Sequence, residues 1–587
     1  MDYYVPMTPP KRLMTLALLM AAACTGALAA PAAAPPGFTN SNLDSSLFYE
    51  LLVGELSAQS GDTASAYALM LDAARKARSP RLYERAVELA LTARNGGSAL
   101  QAAQAWAYAF PTSRDANRYV LQILIGLNKI PDTLPSLKRE LALVPAKDRL
   151  ATIALLPLYF ARTPEKKLAA RLVEKALEAD LANPQSGPTA WATVGRLRLM
   201  ADEAPGALEA ARRGAALNPK APEPILLALN LTGDQAAQAQ TLVRKYLAAK
   251  PLPDIRMAYA RKLLDTQRYA DAYTQLQLLT TEKPDYADAW LIRGTLELQD
   301  KKLSAAQTSL KTYLTLAAPP PADATAEPAP MGRGAVQAYF LLAQIAEQNR
   351  QYNEALAYLK HIDSPADALR VQSRRAMILA RQGRMDDARS LIRSTPELQP
   401  GDARAKISAE VQLLRDFKQY EAAYQVLAEA MARDPLDVDL VYDQAMVAEK
   451  LGHNDEMEQL LRKVIAAKPD YHHAYNALGY SLAERNVRLP EARQLIQKAL
   501  EFAPNDPYIL DSLAWVEYRS GNLPEAARLL QGAFAVRPDA EIAAHLGEVL
   551  WAMHQRGQAS AVWNQGLALN PENETLLETM RRLSQQP

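Results

Sequence analysis

The stretch DPYILDSLAWVEYRSGNLPEAARLLQGAFAVRP, from Asp506 to Pro538, decides the fold. Two apolar faces with helical spacing are present: Leu510, Leu513 and Ala514 in the first half, and Ala526, Leu530 and Ala533 in the second. The turn SGNLP separates them, and Pro538 ends the second helix because proline lacks an N–H and clashes with the preceding turn. The stretch therefore predicts two helices that approach closely where the small residue Ala514 lies.

Prolines that follow an Ala- and Leu-rich helix recur along the chain at a nearly constant spacing. They are Pro111, Pro145, Pro184, Pro219, Pro251 and Pro284, and then Pro435, Pro469, Pro504, Pro538 and Pro571. Within each series the steps run from 32 to 39 residues. A helix pair repeated about every 34 residues indicates an array of stacked units, since one unit cannot bury its own apolar face.

The small residue at the close approach of the two helices is kept in five units: Gly195, Gly294, Gly479, Ala514 and Gly547. These units resemble the tetratricopeptide repeat, over roughly residues 47–571. The resemblance implies an all-α fold, an α-solenoid of helix-turn-helix repeats that forms a right-handed superhelix. Because this position must leave room for the close approach of two helices, we expect Gly479 and Gly547 to tolerate alanine but not leucine.

About fifteen units and a closing helix near Glu572–Leu583 are expected. The Pro- and Ala-rich stretch 317–334 has almost no large apolar residue, so it divides the array into an N-terminal arc, 47–316, and a C-terminal arc, 335–571. Either this stretch is a hinge or lid over the concave face, or it is a tolerated surface loop. Residues 572–587 are expected to form a capping helix and tail with a polar outer face.

The N-terminus indicates export. Lys11 and Arg12 precede a short apolar run, as in a signal peptide covering residues 1–29, with a Pro- and Ala-rich tether over 30–46. Two cleavage sites compete: one after Ala29 would release a soluble periplasmic protein. The other precedes Cys24, where a lipobox-like AAAC would place a lipid that anchors the protein to the outer membrane.

Composition excludes several function classes. The formal net charge is +1, so nucleic acid or an anionic membrane is not an expected partner, apart from a lipid on Cys24. The single cysteine rules out a disulfide within the chain and a cysteine-based zinc site. HExxH, nucleophile-elbow and phosphate-loop patterns are missing, so no metal, cofactor or catalytic residue is predicted. Pairs of acidic residues are expected on solvated helix faces.

The resemblance also implies a protein-binding groove lined by positions 2, 5, 9 and 12 of each unit. These positions are Tyr508, Asp511, Trp515 and Tyr518 in the unit quoted above, His473, Asn476 and Tyr480 in the preceding one, and Glu541, Glu548 and Trp551 in the following one. The aromatic rings either face the groove or pack between adjacent first helices. The Lys and Asn pattern of carboxylate-clamp relatives is not evident, so an acidic C-terminal peptide is not the expected ligand.

The opening LFYELLVGELSAQSGDTASAYALMLDAARKARSPRLYERAVELAL and the closing AEIAAHLGEVLWAM resemble Gram-negative periplasmic repeat proteins that are adaptors for a carboxyl-terminal processing protease. This resemblance implies a scaffold that holds the protease close to its cell-wall hydrolase substrates. The alternative is an assembly factor for an envelope machine, a pilus or an exopolysaccharide exporter. An enzyme carrying a repeat domain is disfavoured, because the signal and the repeats leave no further segment of domain size.

Overall fold

The computed structural model describes residues 44–249, 251–318 and 331–584. The signal peptide, Cys24 and most of the tether lie outside the described residues, as does most of the stretch 317–334. Within the described ranges the chain forms 32 α-helices, four short 3-10 turns and no strand. The predicted all-α solenoid fold is confirmed.

Two compact units divide the chain after Lys262. Helices of the first unit are α1 Ser45–Gln59, α2 Thr63–Ala77, α3 Pro80–Thr92, α4 Gly96–Ala109, α5 Arg114–Gly126, α6 Thr133–Leu143, α7 Arg149–Tyr159, α8 Lys166–Ala176, α9 Glu178–Leu181, α10 Gly187–Met200, α11 Ala204–Leu217, α12 Glu223–Leu229 and α13 Ala236–Leu247, and the division falls within α14 Pro253–Asp265. The 3-10 turns of this unit are Ile130–Asp132, Ala146–Asp148 and Gly233–Gln235.

Helices of the second unit are α15 Tyr269–Glu282, α16 Ala287–Gln299, α17 Leu303–Leu316, α18 Arg333–Gln348, α19 Tyr352–Lys360, α20 Ala368–Arg381, α21 Met385–Arg393, α22 Asp402–Asp416, α23 Tyr420–Arg433, α24 Val438–Lys450, α25 Asn454–Ala467, α26 His472–Glu484, α27 Leu489–Phe502, α28 Pro507–Arg519, α29 Leu523–Val536, α30 Ala540–Ala552, α31 Arg556–Leu569 and α32 Glu574–Ser584. The remaining 3-10 turn is Pro365–Asp367. With the four-residue α9 set aside, thirty α-helices precede α32 in the described ranges.

Local sequence explains where these helices begin and turn. The Asp506 carboxylate caps α28 by accepting hydrogen bonds from the backbone N–H of Tyr508 at 2.8 Å and of Ile509 at 3.1 Å. Between α28 and α29 the chain reverses at Gly521, whose φ of 84° lies in the left-handed region that glycine adopts without strain. Ala514, Ala526 and Leu530 then close the interface between the two helices, and all are fully buried.

The space around the glycines at the close approach of two helices is smaller than the sequence predicted. A Cβ on Gly547 would overlap the indole of Trp563, which is 3% exposed and donates a hydrogen bond to the carbonyl of Ala544. A Cβ on Gly479 would lie 2.9 Å from the carbonyl oxygen of Ala492. The expectation that alanine is tolerated at these two glycines therefore conflicts with the structure, because in each case the neighbour is rigid.

Acidic residues are not confined to solvated faces, which corrects the sequence expectation. Seven buried carboxylates each form an ion pair with an arginine: Glu140, Asp180, Glu297, Glu347, Glu410, Glu517 and Glu548. Glu410 receives two such bonds, from Arg389 at 2.8 Å and from Arg393 at 2.7 Å. Burying a charge is costly unless it is paired. The Arg293–Glu297 pair lies within α16, and the other six pairs join neighbouring helices.

The second unit continues across the Pro- and Ala-rich stretch. Leu310 on α17 and Leu342 on α18 belong to one buried cluster, so the helices on either side of the stretch pack directly on each other. The division between the two compact units falls after Lys262. At the other end α32 packs on α30 through the buried side chains of Leu576 and Leu583.

Candidate protein-binding groove

First helices of the last repeats, α24, α26, α28 and α30, together with α32, line a groove of about 770 Å³ in the second unit. Its lining residues are Tyr442, Met446, Glu449, Lys450, Asn476, Ala477, Tyr480, Glu484, Tyr508, Asp511, Ser512, Trp515, Arg519, Glu541, His545, Glu548, Thr575, Glu578, Thr579 and Arg582. We call this surface the C-terminal groove.

Seven of the ten residues predicted for the groove lie in this lining: Asn476, Tyr480, Tyr508, Asp511, Trp515, Glu541 and Glu548. Three do not, and these are His473, Tyr518 and Trp551. Trp551 packs against Trp563 with ring centroids 5.6 Å apart, so this ring belongs to the interface between α30 and α31. The Tyr518 hydroxyl lies 3.3 Å from a carboxylate oxygen of Glu548 and donates to it.

A buried cluster forms the floor of the C-terminal groove. The Nδ1–H of His545 lies 2.9 Å from both carboxylate oxygens of Asp511, and both side chains are buried. The imidazole stacks on Trp515, with centroids 4.4 Å apart, and its Nε2 lies 3.5 Å from the Tyr480 hydroxyl. Three consecutive first helices, α26, α28 and α30, are thereby joined through one histidine.

Burial and the neighbouring charges shift the pKa of His545 in opposite directions. Desolvation lowers the pKa of His545, but the adjacent Asp511 carboxylate raises it through its charge and its hydrogen bond. The carboxylates of Glu541 and Glu548 add to the raising effect, and the net result is a raised pKa. His545 was not among the predicted residues, because it occupies the sixth position of its unit, between two positions that the groove spacing selects.

Trp515 does not offer an exposed ring to a partner. It is 5% exposed, and its indole N–H donates a hydrogen bond of 2.6 Å to Glu484. Tyr508, by contrast, is 40% exposed at the edge of the groove, where the Arg537 guanidinium lies 5.2 Å from the ring centroid. Of the predicted aromatic residues, Tyr508 is therefore the one best placed to contact a ligand.

Uncommitted polar groups line the rest of the groove. Six carboxylates face three cations: Glu449, Glu484, Asp511, Glu541, Glu548 and Glu578 against Lys450, Arg519 and Arg582. Arg582 is held by Glu548 at 2.5 Å, whereas the carboxylates of Glu449, Glu541 and Glu578 have no hydrogen bond or ion pair within the described part of the chain. Burial raises the pKa of Glu449. The Asn476 Oδ1 is buried without a hydrogen-bond donor in the same part of the chain.

Several lining residues were missed although the groove spacing could have found them. Positions 5, 9 and 12 of the repeat that begins with α24 are Tyr442, Met446 and Glu449. Applied to α32, positions 2, 5 and 9 give Thr575, Glu578 and Arg582, which all line the groove. The closing helix therefore contributes to the groove as well as covering the end of the core.

Neither a metal-binding cluster nor a membrane-spanning helix occurs in the part of the chain that the structure describes. Within residues 44–249, 251–318 and 331–584, no group of three or more His, Cys, Asp or Glu side chains could hold a metal ion. In the same ranges no helix combines the length and the apolar character needed to cross a membrane.

Comparisons with known proteins agree with the fold. Two family models described as tetratricopeptide repeat match the chain, one over residues 257–324, 442–507 and 512–574 and the other over 336–363. A TPR repeat-containing protein of Pseudomonas aeruginosa is 40% identical over 211 residues. That alignment covers 36% of this chain and 36% of the relative, so the match spans about a third of the relative's length.

Two further similarities cover smaller parts. The cellulose synthase operon protein C of Pseudomonas fluorescens is 27% identical over 229 residues, which is 34% of this chain and 18% of that protein. The crystal structure of a thermophilic TPR protein of Thermus thermophilus is 22% identical, covers 30% of this chain and 93% of its own, and superposes with a TM-score of 0.28. Over the stretches that the family models match, the chain is similar to tetratricopeptide repeats, a repeat that typically supports protein–protein interaction.

Proposed function

We propose that this chain is a non-catalytic scaffold that holds an extended segment of a partner protein in the C-terminal groove. The observation that supports the proposal is that five helices present polar groups to one groove. Carboxylates without an ion-pair partner among the described residues come from α24, α30 and α32, and α28 adds the exposed ring of Tyr508. Aromatic rings and directional polar groups of this kind supply binding energy at protein interfaces.

The charge of the groove favours a basic partner segment. Carboxylates outnumber lysine and arginine side chains two to one in the lining, and Glu449, Glu541 and Glu578 have no ion-pair partner in the described part of the chain. A lysine or arginine side chain of the partner would satisfy them. Complementary charge of this kind speeds association and excludes acidic segments.

The partner we propose first is a carboxyl-terminal processing protease or its cell-wall hydrolase substrate. The support is the resemblance of the opening and closing stretches to periplasmic adaptors of that protease. The protein would then act in the periplasm, either soluble after cleavage at Ala29 or held at the outer membrane by a lipid on Cys24. The similarity to a cellulose synthase operon protein favours the second candidate, an assembly factor for an exopolysaccharide exporter.

Photo-crosslinking tests the groove assignment. A benzoylphenylalanine residue would replace Tyr508 in one variant and Thr575 in a second, both in the groove lining, and Arg528 in a third. Arg528 lies on α29 with its side chain 67% exposed, away from the groove. After irradiation in envelope extract, we expect the same partner peptide, identified by mass spectrometry, from the first two variants only. Equal capture from Arg528 would refute binding in the groove.

A further inference from the structure

A second groove lies between α18 and α20 in the same unit, with a volume of about 930 Å³. Its lining contains three arginines, Arg333, Arg370 and Arg374, and a single carboxylate, Asp367. The charge is therefore opposite to that of the C-terminal groove. The arginine groove, as we call it, contains none of the residues that the sequence predicted for protein binding.

Two of the arginines are available to a ligand. Arg333 is exposed and has no hydrogen bond or ion pair within the described ranges. Arg370 is also exposed, its guanidinium lies 3.9 Å from the centroid of the Phe340 ring, and its nearest carboxylate, Asp367, is 3.7 Å away. The contact with the ring holds the guanidinium in place, and its N–H groups that do not face Asp367 can bind a carboxylate of a ligand.

Arg374 has a different role. Its Nε lies 2.5 Å from Glu347, a buried carboxylate that also receives a bond of 3.2 Å from Arg381. This network holds α18 against α20 and leaves an excess of positive charge beside the groove, because two arginines share one carboxylate. The arginine groove is therefore both positive and fixed in shape.

Neutral groups of the arginine groove suit a peptide. Gln337, Gln344 and Ser373 line it, and their side chains form no hydrogen bond in the described part of the chain. Amide side chains can both donate to and accept from a peptide backbone. The partly buried apolar side chains of Leu341 and Met377 lie in the same lining and would pack against an apolar residue of the ligand.

We propose that the arginine groove binds an extended acidic segment of a protein, with carboxylates at Arg333 and Arg370 and an apolar side chain on Leu341 and Met377. It adds to the proposed scaffold a second site with the opposite charge preference. Nucleic acid is the weaker candidate, because the chain has a net charge of +1 and the lining mixes two exposed arginines with apolar surface. The array would then hold an acidic and a basic segment at separate places in one unit.

Fluorescence anisotropy on the full chain tests this site with two labelled peptides of about ten residues. One contains aspartate, glutamate and leucine, and the other has lysine at each acidic position. The test variant is Arg333→Glu with Arg370→Glu. The matched control, Arg433→Glu with Lys463→Glu, makes the same charge change at exposed residues outside both grooves. A milder variant, Arg333→Gln with Arg370→Gln, serves if the first loses helicity.

We expect the test variant to bind the acidic peptide more than tenfold more weakly than wild type does and to bind the basic peptide with unchanged affinity. The control variant should bind both peptides with affinities within twofold of wild type. Loss of acidic-peptide binding in the control variant as well would overturn the proposal, since the peptide would then be held by the overall charge of the protein and not by the arginine groove. Tighter binding of a labelled single-stranded DNA than of the acidic peptide would also overturn it. If only the basic peptide failed to bind, the result would count against the C-terminal groove and not against the arginine groove.

Discussion

Substituting Gly547 by alanine tests how closely the helices of one repeat approach. The added methyl group would overlap the indole of Trp563, which is buried and holds a hydrogen bond to the Ala544 carbonyl, so the ring cannot turn away. Overpacking of this kind costs about 1–3 kcal/mol. Alanine also stabilises a helix relative to glycine by about 0.5–1 kcal/mol, so that gain has to be removed from the comparison.

Gly532 on α29 provides the matched control, because a Cβ built there meets nothing within 4 Å. Gly532→Ala should stabilise the protein by about 0.5–1 kcal/mol through helix propensity alone. Urea denaturation followed by circular dichroism then gives both free energies of unfolding. We expect Gly547→Ala to be less stable than Gly532→Ala by about 1–3 kcal/mol. Equal stability of the two variants would show that the close packing around Gly547 is misassigned.

Three further predictions concern a buried charge, a titrating group and the N-terminus. Replacing Arg389 and Arg393 together by methionine leaves the buried Glu410 carboxylate unpaired, and we expect a loss of about 3–5 kcal/mol in the free energy of unfolding; a loss under about 1 kcal/mol would contradict the pairing. The pKa of His545 is raised in the folded state. Its contribution to the free energy of unfolding is therefore fully present below the unfolded pKa of about 6.5 and is lost as the pH rises through the folded pKa. The stability difference between wild type and His545→Gln should therefore be larger at acidic than at alkaline pH, and the opposite trend would be inconsistent with the raised pKa. Cys24→Ala should leave membrane fractionation unchanged if cleavage follows Ala29, whereas fatty-acid labelling of wild type but not of Cys24→Ala would establish the lipid anchor.

The fold could be predicted from the sequence because its determinants are local and repeated. Pro538 and its counterparts mark the end of each pair, and the small residues at Ala514 and Gly547 mark where two helices meet. The tolerance of these glycines could not be predicted, because the atom that a methyl group would meet belongs to another helix. For Gly547 that neighbour is the large ring of Trp563, and for Gly195 it is Leu227 of the next repeat.

The positions that line the C-terminal groove could largely be predicted from the sequence, but the solvent exposure of their side chains could not. A fixed spacing along each first helix places Tyr508, Asp511 and Glu541 in the lining, and the same spacing extends to α32. The burial of Trp515 depends on His545, which comes from the next repeat and stacks on the ring. The buried carboxylates escaped prediction for a related reason: Glu517 meets an arginine 24 positions earlier, and single-residue patterns do not reveal such pairs.

Charge reversal at the rim of the C-terminal groove isolates its contribution to partner binding. Glu541→Lys with Glu578→Lys replaces two exposed carboxylates that have no ion-pair partner in the described part of the chain. The control, Glu429→Lys with Glu572→Lys, changes the net charge equally at exposed positions outside the groove. Neither pair of substitutions touches the buried cores, so both proteins should keep the wild-type helicity.

Isothermal titration of these proteins with the partner segment captured at Tyr508 measures the central claim directly. If the segment lies in the groove, the test variant should bind more than tenfold more weakly, which corresponds to about 1.4 kcal/mol, and the control should bind as wild type does. Equal affinity of the test variant and wild type, or an equal loss in the control, would contradict a protein-binding role for the C-terminal groove.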